Sequence, residues 1–440
     1  MADSILIKGG RALTFPGGLT GEVDIMVEAG RIKQVEAGIN AGGAMVIDAS
    51  GCVVAPGLVD MHVHLREPGM EYKEDIASGS RAAARGGFSA VFCMPNTEPP
   101  VDNLSVAEYV YDRGVDEGFC MVLPHGAITV GRRGETLAPM GEMAACRAGV
   151  MGYSDDGDPV ANSEMMRRAM EYARTIGALI ISHSEERSLS DGGQMNEGYY
   201  STLLGLRGIP GEAEQIGVYR DICLAEKTGA TLHLAHISTS GSVELVRSAK
   251  RRGVRVTCEV APHHFSLDDS MLTSYDTNLK MNPPLRSRGD VEALMEGLAD
   301  GTIDVIATDH APHASHEKET EFDRALFGVV GLETCLALVM TKVVDSGVLS
   351  LEDAIARLTE APARIMSMER WGYGTALEEG DDANLVVFDP EQRWTVDPGE
   401  FMSRSRNTPY AGWDVRGRVQ HTLFKGRLVV IDGELAEGTR

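Results

Sequence analysis

The sequence predicts an α/β protein, a (β/α)8 TIM-type barrel with a small β-sandwich domain built from both chain ends. Three observations predict it. Eight short apolar runs recur through the middle of the chain, helix-like stretches separate them, and both ends share a texture of short antiparallel strands. The runs are 53–64, 88–95, 121–129, 149–156, 178–185, 231–238, 254–263 and 304–310. Each is rich in apolar and β-branched residues and closes on Gly, Pro, Asn, Asp or Ser. That is the pattern of a strand buried on both faces, hence parallel.

The elements follow in order. Residues 4–50 read as short antiparallel strands with glycine-containing turns. DIASGSRAAARGG (75–87) and NSEMMRRAMEYARTIG (162–177) read as helices between runs. Most runs are spaced as successive βα units would be, which suits a barrel. Wider gaps after the fifth run and beyond the sixth predict inserted helices or lid loops. SLEDAIARLTEAPARIMSM (350–368) reads as a helix pair leading out of the barrel, and 383–434 repeats the strand texture of the N-terminus. The expected organisation is 1–54 as the N-terminal part of the sandwich, 55–370 as the barrel and 371–440 as the C-terminal part.

The chain has 440 residues, with 41 Lys+Arg against 65 Asp+Glu and a formal net charge of −24. Such a charge argues against nucleic acid or an anionic membrane as partner, but a locally positive site can still take a small anionic substrate. With 43% hydrophobic and 24% charged residues, the composition excludes a disordered or collagen-like chain. No apolar run approaches the roughly 18 residues of a membrane helix. MADSILIKGG carries no basic-then-apolar signal pattern. The seven cysteines form no CxxC, which fits buried thiols in a reducing compartment, so a cytoplasmic location is expected.

The chemistry concentrates in the histidines. In His62-Val63-His64, residues two apart on a strand share a face, so both imidazoles aim at one point at the end of the first barrel strand. Barrel active sites lie at that end. Asp156, His183, His236 and Asp309 close the fourth, fifth, sixth and eighth runs. Taken singly, each suits a capping Asp or a hydrogen-bonded core His. Together, six N/O ligands at one mouth suit a pair of divalent metals, zinc above all. Asp156 is the available bridging carboxylate, and spacing alone does not separate it from Asp155. Arg66, just past His64, suits bidentate capture of a carboxylate. Asn96 and Asn282 stand beside prolines, where a turn role competes with recognition of a planar amide. His125 and His233 read as structural, His263 and His264 as packing or supporting residues.

GLVDMHVHLREPG (57–69) resembles the signature of the dihydroorotases. CMPNTEPP (93–100), AHIS (235–238), EVAPHHFSL (259–267), KMNPPLRS (280–287), ATDHAPH (307–313) and FGVVGLET (327–334) resemble further segments of that family, in the same order. The likeness is greatest to the long bacterial class I type. There an aspartate of a DDG segment stands where other amidohydrolases carry a carboxylated lysine, and the fourth run here has no lysine. The resemblance implies two Zn2+ per chain: His62, His64 and Asp309 at one, His183 and His236 at the other, Asp156 between them. It implies substrate contacts from His64, Arg66, Asn96, Asn282, His313 and the backbone of Phe327 and Gly328, with Asp309 as the catalytic proton shuttle.

The activity so implied is the reversible cyclisation of N-carbamoyl-L-aspartate to (S)-dihydroorotate in pyrimidine biosynthesis. Leu326, where proline is common, and Ser182, where alanine is common, depart from the family pattern without removing a ligand. A hydantoinase or allantoinase shares the metal core but usually lacks an arginine at position 66. A catalytically silent partner of aspartate carbamoyltransferase would be expected to have lost ligands. A homodimer and an association with that transferase are both compatible with the sequence. Residues 157–163 and 310–326 are the candidate lid loops.

Overall fold

The computed structural model describes residues 4–436. Eight parallel strands form its centre and are numbered here β1 to β8. They are β1 (Leu58–Val63), β2 (Phe88–Cys93), β3 (Met121–Pro124), β4 (Gly152–Tyr153), β5 (Leu179–Ser182), β6 (Thr231–Leu234), β7 (Val256–Val260) and β8 (Val305–Ile306). Parallel ladders join β1–β2–β3 and β4–β5–β6–β7–β8. Parallel bridges Gly126–Tyr153 and Val63–His310 close the two arcs into a ring. The expected barrel is therefore present.

Alternation along the strands feeds two cores. Val59, Met61, Ala90, Phe92, Leu123, Ile181 and Val305 cluster with Ala361, Met366, Met368 and Tyr373, which follow the barrel in the chain. Phe88, Val91, Val122, Ile180, Leu232 and Val260 pack instead on helical residues such as Ala82, Met166, Val218 and Val243. The helices carry their own stop and start signals. Ile76–Arg85 is capped by Asp75, whose carboxylate accepts from Ser78 N at 2.7 Å. Ser163–Ile176 is capped by Asn162 and ends at Gly177, whose φ of +69° is left-handed. Each polar N-cap contributes about 1 kcal/mol.

The two chain ends meet in one nine-stranded sheet. Its order is 434–435, 427–431, 414–424, 385–395, 53–56, 4–14, 18–28 and 31–36, with 45–48 pairing alongside 4–14. The join is antiparallel, Val53–Pro56 against Leu385–Phe388. A separate apolar cluster lines this sheet, drawing Ile5, Ile7, Val27 and Val54 from one end and Leu385, Val387 and Leu423 from the other. The apolar run 53–64 is thus two strands. Gly57 divides them because the backbone there passes against Ser89, where a Cβ would lie only 2.1 Å from the hydroxyl oxygen.

The wide gap between β5 and β6 holds the Tyr199–Leu204 helix and a parallel pair, Met195–Asn196 with Gly208–Ile209. That between β7 and β8 holds short 3-10 turns and the Arg288–Ala299 helix. Helices Leu351–Ala356 and Glu360–Ile365 lead from the barrel to the sheet. Among the described residues no helix is long and apolar enough to cross a membrane.

Candidate metal centre

Two trios of buried side chains meet at the C-terminal ends of the strands. His62, His64 and Asp156 form one, and Asp156, His183 and His236 the other; within each trio the ligand atoms lie within 4.8 Å of one another. Asp156 belongs to both. Its Oδ1 stands 3.6 Å from His62 Nε2, 3.5 Å from His183 Nδ1 and 3.6 Å from His236 Nε2, while Oδ2 stands 3.6 Å from His64 Nε2. Asp309 Oδ1 lies 3.1 Å from His64 Nε2 and 3.5 Å from His62 Nε2, beside the first trio.

The backbone aims these groups. The register between β1 and β2 slips between Asp60 and Val63, a bulge of the kind that redirects side chains at strand ends. The Asp60 carboxylate accepts from His62 N at 3.0 Å and Thr308 N at 3.2 Å, tying β1 to the end of β8. Arg66, His236 and Asp309 have φ of +60°, +31° and +48°. Left-handed backbone at a residue with a side chain costs about 1–3 kcal/mol and persists where its surroundings hold it. At His236 one support is its own N–H, which donates to Glu259 Oε1 at 3.3 Å.

Outer hydrogen bonds choose the nitrogen that each imidazole turns inward. His62 Nδ1–H donates to Glu259 Oε1 at 2.6 Å, leaving Nε2 for the site. His64 Nδ1–H donates to Asn96 Oδ1 at 2.9 Å, and His183 Nε2–H to Glu185 Oε2 at 3.0 Å, which leaves Nδ1 facing in. Such partners set the tautomer and raise the basicity of a ligating histidine. Glu259 serves a second histidine as well, accepting from His233 Nε2 at 3.1 Å.

The donor set fits a pair of divalent cations. His62 Nε2 and Asp156 Oδ1 are buried with no hydrogen-bond partner, and His183 Nδ1 and His236 Nε2 converge to 3.0 Å beside Asp156 Oδ1. Asp156, Asp309, Glu259 and Glu185 bring four negative charges to this buried volume. The electrostatics ask for compensating positive charge. Burial opposes charging His62, yet Glu259, Asp156 and Asp309 together lift its pKa well above the usual imidazole range. Burial likewise opposes His183, but Asp156 and Glu185 raise it to about 10. Burial would raise the Asp156 and Asp309 carboxyls, and the surrounding histidines hold both far below the ordinary value instead.

Asp155 turns away. Its Oδ1 accepts from Ile128 N and Thr129 N at 2.8 and 3.1 Å, and its Oδ2 from the Thr129 hydroxyl. Arg66 is buried with Nε donating to Pro312 O at 3.2 Å and Nη2 3.5 Å from His313 Nε2. Burial lowers its pKa to about 10, so it stays charged at neutral pH. Asn96 joins His64 to Asp156 Oδ2, 3.4 Å from its amide nitrogen. Asn282 Nδ2 sits 3.4 Å from both His183 Nε2 and Glu185 Oε2. His313 Nε2–H donates to Phe327 O at 2.8 Å, and Gly328 N donates to Lys280 O at 2.9 Å, so these two backbone groups already have partners within the chain. His125 and His264 donate to backbone carbonyls, Met61 O and Pro283 O.

Glu259 and Glu185 were not among the residues expected from sequence. A signal existed for each: Glu259 is a lone acid in the apolar run VTCEVA, and Glu185 follows His183 by two.

A family profile described as dihydro-orotase-like matches residues 51–242. The chain is 53% identical over 428 residues to a dihydroorotase of Pelotomaculum thermopropionicum, spanning 97% of this chain and 99% of that one. It is 52% identical over 424 residues to a dihydroorotase of Syntrophotalea carbinolica, spanning 96% and 98%. Among solved structures it resembles an L-hydantoinase (dihydropyrimidinase) of Arthrobacter aurescens, with TM-score 0.87 and 26% identity over 99% of this chain and 98% of that one. The dihydropyrimidinase of Brevibacillus agri shares the fold, with TM-score 0.85 and 21% identity over 98% and 96%.

Proposed function

The chain belongs to the dihydroorotase family, and from that premise we propose how its own residues carry out the reaction. The reaction is the reversible cyclisation of N-carbamoyl-L-aspartate to (S)-dihydroorotate, the third step of pyrimidine biosynthesis. It is a hydrolase acting on a cyclic amide, with a small-molecule substrate. The hydantoinase and allantoinase alternative loses ground, because the relatives near 50% identity are dihydroorotases and the hydantoinase likeness is far more distant.

Two zinc ions per chain are the proposed cofactor. His62, His64 and Asp309 would hold one, His183 and His236 the other, and Asp156 would serve both. Zinc in such a site supplies a hydroxide nucleophile at neutral pH and polarises a carbonyl. The chain supplies the rest. In the hydrolytic direction Asp309 accepts the proton released as water adds to the ring amide and delivers it to the departing nitrogen; in cyclisation it does the reverse. Arg66 and His313 hold the carboxylate that does not react, and Asn96 and Asn282 orient the ring, so the reacting atoms meet without a search. A cytoplasmic location is supported by seven free cysteines.

The observation carrying this reading is the pair of buried trios that share Asp156 at the mouth of the barrel. Its test is turnover. Zinc-loaded protein should form dihydroorotate from N-carbamoyl-L-aspartate and hydrolyse it back, and failure in both directions contradicts the reading. Arg66→Gln should raise KM about tenfold or more with both metals retained, as expected for a lost charge-assisted pair to the substrate. Loss of metal in that variant would instead make Arg66 a support of the centre.

A further inference from the structure

Two lysines beneath the substrate side of the mouth are buried without a carboxylate. Lys280 and Lys318 are 2% and 3% exposed, and among the described residues neither forms an ion pair. A buried ammonium is unfavourable unless its donors are taken, and an apolar side chain of similar size would fill the space without that cost. Burial lowers the Lys280 amine to about 8 and, with Lys280 beside it, the Lys318 amine to about 7, so the charged form depends on the partners that the geometry supplies.

The hydrogen bonds supply the reason. An ammonium has three donors, and Lys318 Nζ meets three carbonyls: Leu326 O at 2.9 Å, Gly328 O at 3.1 Å and Lys280 O at 3.2 Å. Lys280 Nζ donates to Phe322 O at 2.6 Å and to the Gln194 side chain, and stands 4.7 Å from the centre of the Phe327 ring. The carbonyls of 326 and 328 therefore turn toward Lys318, while the carbonyl between them turns the opposite way and accepts from His313 Nε2. The chain is closely packed there: a Cβ on Gly328, whose φ is +152°, would lie 2.6 Å from Ala311 O and 2.8 Å from His313 Cδ2. The Phe327 peptide and the His313 ring thus meet directly, with Asn407 Nδ2 at Gly328 O (3.0 Å) and Glu317 Oε2 at His313 Nδ1 (3.4 Å) as further supports.

We infer that Lys318 is a positioning residue for substrate binding. Its amino group holds the 326–328 peptides, and through Phe327 O the His313 imidazole, in register with Arg66. The inference rests on the proposed role of this loop in holding the substrate.

The test is steady-state kinetics and metal analysis on Lys318→Met, an unbranched side chain one atom shorter that removes all three donors. KM for N-carbamoyl-L-aspartate should rise about tenfold or more, with kcat changed less than about threefold and metal content equal to wild type. Lys318→Gln, which restores two donors, should give a KM between the two; it also serves as the test if the Met variant does not accumulate. A KM within about twofold of wild type in the variant that folds, or a loss of kcat at constant KM, overturns the inference. Absence of turnover in wild type would overturn the functional reading itself, so the two failures are distinguishable.

Discussion

Replacing Asp309 by asparagine should lower kcat by about three orders of magnitude while leaving the fold and most of the bound metal in place. Positioned acid–base groups typically contribute about 10² to 10⁴. Asparagine has the same shape, and its side-chain oxygen can take the place of Asp309 Oδ1, which stands 3.1 Å from His64 Nε2. What it cannot do is take a proton and give it back. The left-handed backbone at residue 309 is also more readily adopted by asparagine than by most residues, so the local fold should survive. The measurement is kcat in both directions with metal content determined on the same samples. Near wild-type turnover would remove Asp309 from the proton path, and loss of metal with loss of turnover would reduce its role to that of a ligand.

Asp156→Ala should have an effect at least as large, but through the metals. Both oxygens of Asp156 are in use: Oδ1 faces His62, His183 and His236, and Oδ2 faces His64. Removing it takes the shared anion from both trios. The expected result is a fall from about two cations to one or fewer per chain, and a loss of kcat/KM of about 10³-fold or more. Asp155→Ala is the informative neighbour. It strips the Ile128 and Thr129 amides of their acceptor, and a buried donor left unpaired costs about 1–3 kcal/mol. That variant should unfold at lower temperature and still bind both metals. If the two variants exchanged these behaviours, the assignment of the bridge to Asp156 would be wrong.

The contrast between these neighbours shows where sequence reasoning stops. His62 and His64 could be aimed from the sequence because two-residue spacing at a strand end has one geometric meaning. Asp155 and Asp156 could not be separated on spacing, since β4 ends at Tyr153 and the following residues lie beyond the strand. Glu259 escaped notice for another reason. Its partner His62 lies 197 residues away in the chain, and only ring closure brings β7 across to β1. The same applies to Lys318, whose three acceptors include the carbonyl of Lys280 from a different segment.

The division of the run 53–64 was likewise invisible. Both halves are apolar, so periodicity gives no break, and the reason for Gly57 is a close approach to Ser89 on the neighbouring strand. The eight-strand repeat, by contrast, was legible because parallel strands buried on both faces produce apolar runs that stand out from the helices around them. Pairing of the chain ends was legible too, from their shared strand texture, although their union into one nine-stranded sheet depends on the ladder between 53–56 and 385–388.

The central claim is that one carboxylate holds two cations between four histidines. The most direct measurement is anomalous X-ray scattering at the zinc edge from crystals of the zinc-loaded chain, with elemental analysis of the same preparation. The account predicts two peaks, one against His62 and His64 and one against His183 and His236, each about 2.0–2.2 Å from its ligand atoms and each touching Asp156. A single peak, or two peaks without Asp156 between them, would contradict it.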